Sequence, residues 1–517
     1  MIYILKVLFA FLFIYLNINY LNILQQNHYK IKLMKFHIVR YYRKYLIWLI
    51  SFLLFNILAY FNVINIILTE VFSFCILMYF VINYKKKIIK LKFTKRIIRI
   101  ITILLIIDFL LIITGKVVFD KSSLIIANYM LIIFPLTNVL GIKVNVPIEK
   151  MINKKYIKNA KRIIDDNPNL IKIAVTGSYG KTSTKNILYQ LLKDQYLTVC
   201  TPKSYNTLLG VTKTINSSVD QTTQIFIVEC GATSRGDIKE IASLVKPTIG
   251  VITNIGPQHL ETFKTIENIV DTKFELIDTL SYEGTAVING DNEYINKREI
   301  NNVKNIIRIS LNNSDASYYA KITSLNPLEF IIYKNKKQEL ELKTNLLGKH
   351  NVQNILFCYA IIDSLRRYNI KISKEKIIET IKNLDPAPHR LEYKKINNIH
   401  LYDDSYNSNV VGFKNACEVL KELPYRKIII TPGIVELGKE ENKIAVDLAE
   451  TIRNTFDEIY IIENKASLNL INNLNNTNIF IYSSFKEAYK DCIDKNQDDE
   501  IAILIENDLP DNYLERW

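Results

Sequence analysis

Acidic residues are scarce at the start of this 517-residue chain. Residues 1–150 contain 4 Asp and Glu against 19 Lys and Arg, whereas the remaining residues contain 47 of each kind. The whole net charge of +15 therefore lies in the N-terminal third. The basic residues there are interleaved with long apolar runs, so the high pI does not indicate a nucleic-acid-binding protein. The length predicts two to four domains.

Cysteines are also few, and no two of them are close in sequence. No Cys-x-x-Cys pair occurs, which excludes a zinc ribbon and a dithiol redox centre. We expect free thiols, most of them packed as small apolar side chains. The six cysteines are Cys75, Cys200, Cys230, Cys358, Cys417 and Cys492.

Five apolar stretches precede residue 142. A membrane-spanning helix needs roughly 20 apolar residues, and Lys/Arg-rich short loops stay in the cytoplasm. The pattern predicts an α-helical transmembrane domain over 1–142, a linker over 143–170, and a multi-pass inner or plasma membrane protein with cytoplasmic catalytic domains. The alternative is a signal peptide followed by buried helices, but the first stretch lacks a small-residue cleavage site. The five stretches are about 2–24, 45–66, 68–84, 100–115 and 123–141.

A phosphate-binding loop follows the next predicted strand. Ile171–Val175 predicts a buried strand and Thr184–Lys193 predicts a helix, with the segment Gly-Ser-Tyr-Gly-Lys-Thr-Ser (177–183) between them. In this context glycine loops bind phosphate oxygens through backbone amides, the lysine contacts the β- and γ-phosphates, and the following hydroxyl ligates Mg²⁺. The loop therefore predicts ATP and Mg²⁺ as ligands.

Two further strands end in side chains that can bind metal. One ends at Glu229 and another leads into His259. Ligands of open α/β sheets bind at the carboxyl ends of the strands, and Mg²⁺ prefers oxygen ligands, so Thr182 and Glu229 suit one ion. Taken alone, His259 is an ordinary loop or core histidine, and Lys273 is an ordinary solvated helix lysine.

The ordered set of motifs is more specific. The loop at 177–183 resembles the ATP loop of the Mur ligases, which form amide bonds in peptidoglycan precursors, and the later motifs follow in the order of that family over roughly half of the chain. These motifs are Ser204–Gly210, Ile227–Ala232, Thr253–Leu260, Asp271–Glu275, Gly348–Asn354, Pro388–Glu392, Tyr402–Asn409 and Thr431–Gly438. The segment Asp-Asp-Ser-Tyr-Asn-x-Asn at 403–409 is most similar to the members of the family that add D-alanyl-D-alanine.

The resemblance implies a central P-loop ATPase domain over 171–384 and a Rossmann-like C-terminal ligase domain over 385–517. It also implies two Mg²⁺ ions and a carbamylated Lys273. The implied catalytic residues are Lys181, Glu229, His259 and Lys273. The implied metal ligands are Thr182, Glu229, His259 and Lys273. The implied nucleotide-binding residues are Gly177, Ser178, Gly180, Lys181, Thr182, Ser183, Asn351, Asn354, Arg390 and Asp404. The implied substrate-binding residues are Asn206, Thr207, Ser405, Tyr406, Asn407 and Asn409.

The expected activity is ATP-dependent amide-bond formation through an acyl phosphate. We expect an amino acid or dipeptide to be added to a cell-wall precursor, which could be membrane-linked or presented by a membrane-bound partner enzyme. One alternative is a relative with a different acceptor, of the poly-amino-acid or glutamate-adding type. Another is a non-catalytic nucleotide-binding membrane scaffold. The chain departs from soluble Mur ligases before residue 171, where too few residues remain for a uridine-binding domain, and residues 504–511 form an acidic segment without an assigned role.

Overall fold

The computed structural model describes most of the chain from residue 91 onward. The described residues are a few positions between 14 and 58, followed by 91–119, 123–202, 205–258, 260–406, 409–434, 441–474, 478–496 and 499–507. The chain divides into two compact units, Met1–Lys154 and Lys155–Trp517.

Two long helices, α1 (Lys95–Phe119) and α2 (Ser123–Asp165), contain the apolar stretches 100–115 and 123–141. Among the described residues, no helix has the length and apolar character required to cross a bilayer. The predictions of a transmembrane domain and of a multi-pass membrane location are therefore wrong. The other stretches, 2–24, 45–66 and 68–84, lie largely outside the described residues.

The two helices use their apolar residues to pack against each other. Ile97, Ile100 and Leu104 of α1 are buried, and a Cβ added at Gly141 of α2 would lie 2.6 Å from the Leu104 side chain. Arg99 also donates a hydrogen bond to Glu149, over 2.5 Å. The sequence pattern could not distinguish helices that pack against each other from helices that face lipid, because both kinds carry apolar side chains. The linker predicted over 143–170 is helical as far as Asp165.

The first sheet of the second unit has nine strands in the order β2-β3-β1-β4-β5-β6-β7-β8-β9. Neighbouring strands are parallel from β2 to β7, and β7, β8 and β9 are antiparallel. The central strand β1 is buried almost throughout, as expected for a parallel strand covered on both faces. The strands are β1 (Ile171–Thr176), β2 (Thr198–Cys200), β3 (Ile225–Glu229), β4 (Ile249–Ile252), β5 (Thr285–Asn289), β6 (Asn305–Ser310), β7 (Tyr318–Leu325), β8 (Leu328–Lys334) and β9 (Lys337–Thr344).

Helices cover both faces of this sheet. One apolar cluster joins β1 to two of the helices through side chains such as Leu188 and Ile355, and another joins Phe226 to Ile241 on a further helix. The helices are α3 (Lys181–Leu192), α4 (Leu208–Ser218), α5 (Asp237–Val245), α6 (Leu260–Phe263), α7 (Ile266–Asp278), α8 (Glu293–Asn296), α9 (Lys349–Leu365) and α10 (Lys374–Lys382), with a 3-10 turn at Arg366–Tyr368.

The second sheet has six strands in the order β10-β11-β15-β12-β13-β14. Its edge strand β10 is antiparallel to β11, and the remaining neighbours are parallel. The strands are β10 (Glu392–Ile396), β11 (Ile399–Asp404), β12 (Arg426–Thr431), β13 (Glu458–Ile462), β14 (Ile479–Tyr482) and β15 (Ile501–Glu506). The helices are α11 (Val410–Lys421), α12 (Glu441–Arg453), α13 (Lys465–Leu474) and α14 (Phe485–Lys495). The two sheets confirm the α/β part of the fold prediction.

Candidate active site

The predicted phosphate loop lies between the end of β1 and the start of α3. Gly180 precedes the helix with φ 79°, in the left-handed region that favours glycine. A Cβ on Gly180 would lie 2.9 Å from the Asn354 Oδ1 atom, and one on Gly177 would lie 2.2 Å from Thr253 Oγ1. The two glycines therefore allow the chain to close tightly, next to the N-terminus of a twelve-residue helix, where backbone amides attract anions.

The end of β4 supports the loop from the other side. Ser178 N donates to Asn254 O over 2.6 Å, and the Ser178 hydroxyl donates to Gly256 O over 3.1 Å. The Thr253 hydroxyl donates to Thr176 O over 3.1 Å. These contacts hold the loop in one conformation, which lowers the entropy cost of binding a ligand.

The ammonium of Lys181 lies inside the loop. Its Nζ donates to Gly177 O over 2.7 Å and to Ser178 O over 3.0 Å. Burial lowers the pKa of Lys181 to about 8, with Glu229 opposing that change and Arg390 adding to it. The group therefore remains mainly cationic at neutral pH, and it can neutralise the charge of a bound phosphate.

Glu229, at the end of β3, is the best-connected acidic group of the site. Only 1 % of the residue is exposed. Its Oε2 accepts a hydrogen bond from the Thr182 hydroxyl over 3.0 Å, and its Oε1 accepts one from the Asn206 amide over 3.0 Å. Burial is the largest single effect and favours the protonated carboxyl, but the charges of Lys185 and Lys181 and the hydrogen bonds from Asn206 and Thr182 together keep the pKa of Glu229 below its ordinary value.

Lys185 is a member of the site that the sequence motifs did not identify. Its Nζ lies 3.3 Å from Glu229 Oε2, and its side chain is 1 % exposed. The signal was available in the spacing, because Lys185 follows Lys181 by four residues in α3 and residues four apart share a helix face. A lysine in an amphipathic helix is usually solvated, however, and this one is not.

Lys273, in α7, is also buried, with 4 % of the residue exposed. Burial and then the Lys181 charge lower the pKa of Lys273 to about 7, against the weaker opposing effects of Cys230, Asp237 and Glu275. Among the described residues, no carboxylate oxygen lies within ion-pairing distance of its Nζ. His259, its predicted partner at a second ion, lies outside the described residues.

The start of α9 contacts α3 through Asn354, which is hydrogen-bonded to Asn351. Asn354 accepts a hydrogen bond from Thr184 Oγ1 over 3.2 Å and donates one to Asn351 Oδ1 over 3.1 Å. Asn351 in turn donates to Leu347 O over 2.8 Å. Both asparagines are buried, and Asn354 connects α9 to α3, whereas the contacts of Asn351 stay within α9 and its approach. Ser183 is half-buried in the first turn of α3.

Arg390 and Asp404 belong to the C-terminal sheet and its approach. The Arg390 guanidinium carbon lies 4.8 Å from the ring centroid of Tyr406, a cation–π distance. Leu391 N donates to Asp404 Oδ1 over 3.1 Å. Burial raises the pKa of Asp404 to about 6, despite the opposing charge of Arg390, and a hydrogen bond joins its side chain to that of Glu506. Arg390 also lowers the pKa of Lys181, so the two cations share one electrostatic environment.

Three of the predicted substrate residues have local structural contacts. The Thr207 hydroxyl accepts from Gly210 N over 3.3 Å and caps α4, and the Asn409 side chain accepts from Gly412 N over 2.9 Å and caps α11. The Ser405 hydroxyl donates to Asp403 Oδ1 over 2.7 Å. Asn407 lies outside the described residues. Contacts therefore join Thr182, Asn206 and Lys185 to Glu229, and Lys181 interacts electrostatically with the same carboxylate. A substrate-binding role of Asn206, Thr207, Ser405, Tyr406, Asn407 and Asn409 remains a prediction.

Comparison with protein families identifies both α/β domains. Residues 175–362 match the Mur ligase middle domain, and residues 389–505 match the Mur ligase glutamate ligase domain. Together the two matches cover more than half of the chain.

Several similar sequences carry the same enzyme name. Over 302 residues the chain is 29% identical to the UDP-N-acetylmuramoyl-tripeptide–D-alanyl-D-alanine ligase of Buchnera aphidicola, covering 58% of this chain and 64% of that protein. It is 28% identical over 286 residues to the Escherichia coli enzyme of the same name, covering 54% and 62%. The chain thus spans less than two thirds of the length of these curated relatives.

Solved structures share the fold. MurF from Acinetobacter baumannii aligns with a TM-score of 0.61 at 23% identity, covering 68% of this chain and 76% of that chain. The MurF ligase from Thermotoga maritima in complex with ADP aligns with a TM-score of 0.60 at 22% identity, covering 68% and 80%.

Proposed function

Since residues 175–362 and 389–505 make this chain a member of the Mur ligase family, we propose that it is an ATP-dependent ligase that adds D-alanyl-D-alanine to a peptide-bearing peptidoglycan precursor. The names of its relatives suggest both substrates. The observation that carries the proposal is the cluster in which Glu229 holds Thr182 and Asn206 beside Lys181.

The residues of this cluster are suited to bind Mg²⁺ and a nucleoside triphosphate. Thr182 and Glu229 offer a hydroxyl and a carboxylate oxygen 3.0 Å apart, and hard cations prefer oxygen ligands. Backbone amides of the loop and the Lys181 ammonium would face the phosphates. When bound, Mg²⁺ would reduce the negative charge of the transferred phosphoryl group.

The proposed reaction has two steps. A carboxylate oxygen of the precursor attacks the γ-phosphorus of ATP, the bond to the β-phosphate oxygen breaks, and an acyl phosphate and ADP form. The amine of the dipeptide then attacks the acyl carbon, phosphate leaves, and the amine loses a proton. Lys181 would stabilise the charge that moves to the leaving oxygen, because phosphoryl transfer depends mainly on positioning and charge neutralisation.

Arg390 and Asp404 would complete the nucleotide site from the C-terminal domain. Arg390 already affects the pKa of Lys181, which supports a position near the phosphates. Contact between Arg390 and the nucleotide would also help to exclude water from the acyl phosphate, which hydrolysis would otherwise consume.

Lys273 would act as a carbamate. Its neutral amine would attack CO₂ and lose a proton, giving an N-carboxylate with a negative charge. The depressed pKa of Lys273 supports this assignment, because it makes the reactive neutral amine accessible near pH 7. The carbamate and His259 would then hold a second Mg²⁺.

The test is phosphate release from ATP by the purified full chain with Mg²⁺ and the uridine-diphosphate tripeptide precursor. We expect release only when D-alanyl-D-alanine is also present, and a product heavier by one dipeptide less water. D-Glutamate serves as the control amine. Turnover with D-glutamate instead would contradict the proposed donor, and absence of turnover with every amine would contradict the proposed precursor.

A further inference from the structure

The Lys185–Glu229 ion pair lies in the interior of the middle domain. The side chains of Lys185 and Glu229 are 1 % and 2 % exposed, and their charged atoms lie 3.3 Å apart. Removing both charges from water is costly, so a buried ion pair is often no better for stability than an apolar pair of similar volume. Stability alone therefore does not explain why the chain keeps this pair.

The position of the Lys185 ammonium indicates its role more clearly than its burial does. Glu229 Oε2 is contacted both by Lys185 Nζ, at 3.3 Å, and by the Thr182 hydroxyl, at 3.0 Å. The other oxygen, Oε1, accepts from the Asn206 amide. Lys185 thus supplies positive charge to the same carboxylate oxygen that, with the Thr182 hydroxyl, would ligate a divalent cation.

One carboxylate cannot fully stabilise two positive charges at the same time. A cation arriving at Glu229 and Thr182 finds the negative charge of Glu229 already neutralised, and it is repelled by Lys185 and by the nearby Lys181. The triphosphate of a nucleotide would bring the missing negative charge. Binding of the cation should therefore depend on the nucleotide.

On the basis of the proposed function, we propose that Lys185 is a positioning residue that serves as the internal counter-ion of Glu229. It holds the carboxylate next to Thr182 and makes binding of the divalent cation depend on the nucleotide. Without the ammonium, Glu229 would bind a cation without any nucleotide present. The consequence is an order of binding, in which the cation enters together with the triphosphate.

The test measures Mn²⁺ binding to the full chain by electron paramagnetic resonance of the free ion, with and without a non-hydrolysable ATP analogue. Wild type should bind Mn²⁺ at this site only with the analogue. Lys185→Met should bind Mn²⁺ in the absence of the analogue. Its affinity should be about tenfold or more above that of wild type under the same condition, because the repulsive charge of Lys185 has been removed. Lys185→Arg, which keeps the charge, should behave as wild type.

Two controls make the result specific. Lys343→Met removes the lysine of an exposed Lys–Glu pair in the same domain and should not change Mn²⁺ binding. The double variant Lys185→Met/Glu229→Gln should lose the new Mn²⁺ site. If thermal unfolding shows that Lys185→Met does not fold, Lys185→Gln replaces it.

The inference is overturned if wild type binds Mn²⁺ alone as tightly as the folded charge-removing variant does. It is also overturned if the new site persists in the double variant. Because binding is measured without turnover, a wild-type chain that shows this dependence of Mn²⁺ binding on the nucleotide but forms no amide would contradict the proposed ligase reaction and leave the counter-ion role supported.

Discussion

The hydroxyl of Thr182 donates a hydrogen bond to Glu229 Oε2 over 3.0 Å and so connects the first turn of α3 to the end of β3. The two residues are 47 positions apart in the chain. They meet because β1 and β3 are neighbouring parallel strands, with Val175 opposite Glu229, and parallel strands end at the same edge of a sheet. The predictions below depend on this arrangement.

Lys181→Ala should abolish ATP-dependent phosphate release, because the substitution removes a half-buried ammonium from the centre of the phosphate loop. Losses on the order of 100-fold or more are typical when a group that stabilises transition-state charge is removed. The exposed Lys193→Ala at the other end of α3 is the matched control and should retain activity. Turnover near that of wild type in Lys181→Ala would rule out the ATP-loop assignment.

Lys273→Ala should lose phosphate release, and short carboxylic acids such as formate or acetate should restore part of it. The acid would fill the space of the lost side chain and supply the carboxylate that the carbamate provides. Lys181→Ala, which removes a cation, should not respond to the same acids. Activity retained in Lys273→Ala, without any effect of added acid, would argue against a carbamate.

Gly180→Ala should destabilise the domain and weaken nucleotide binding. A left-handed φ of 79° costs a residue with a Cβ roughly 1–2 kcal/mol, and the new Cβ would lie 2.9 Å from Asn354 Oδ1. Urea unfolding and nucleotide titration measure the two effects. Gly236→Ala, also at positive φ but without any atom within 4 Å of the added Cβ, separates strain from crowding. Equal nucleotide affinity in both variants would contradict a role for the Gly180 contact.

Asp404 predicts a pH dependence of stability. Burial raises its pKa to about 6 in the folded chain, next to Arg390, Asp403 and Glu506, so the folded state binds a proton more tightly than the unfolded state does. The protonated Asp404 therefore stabilises the folded state. This stabilisation is complete below about pH 4, and it is lost as the pH rises through about 6 and the carboxyl ionises.

In Asp404→Asn this titration is absent. The free energy of unfolding of the variant, relative to wild type, should therefore rise by on the order of 1–3 kcal/mol between pH 4 and 7. Urea unfolding at several pH values measures the difference. A difference that is independent of pH would contradict the raised pKa.

Strand–loop–helix order and family motifs were enough to predict the two α/β sheets. The sequence also predicted that Thr182 and Glu229 lie near one another, because the carboxyl ends of parallel strands lie at the same edge of an open sheet. The spacing placed Lys185 on the same face of α3 as Lys181, but it did not show that Lys185 is buried, since that depends on what covers α3. The sequence could not show that Thr207 and Asn409 cap helices, because caps and binding sites use the same side chains. The apolar stretches of α1 and α2 were assigned to lipid because hydropathy does not distinguish lipid from a neighbouring helix.

The central claim is that a substrate carboxylate is activated by phosphoryl transfer from ATP. The most direct measurement uses precursor labelled with ¹⁸O in the terminal carboxylate, with ATP, Mg²⁺ and D-alanyl-D-alanine, and mass spectrometry of the released phosphate. The account predicts one ¹⁸O atom in each phosphate released, because the carboxylate oxygen leaves with phosphorus when the amide forms. Phosphate that carries only oxygen from ATP or water would contradict it.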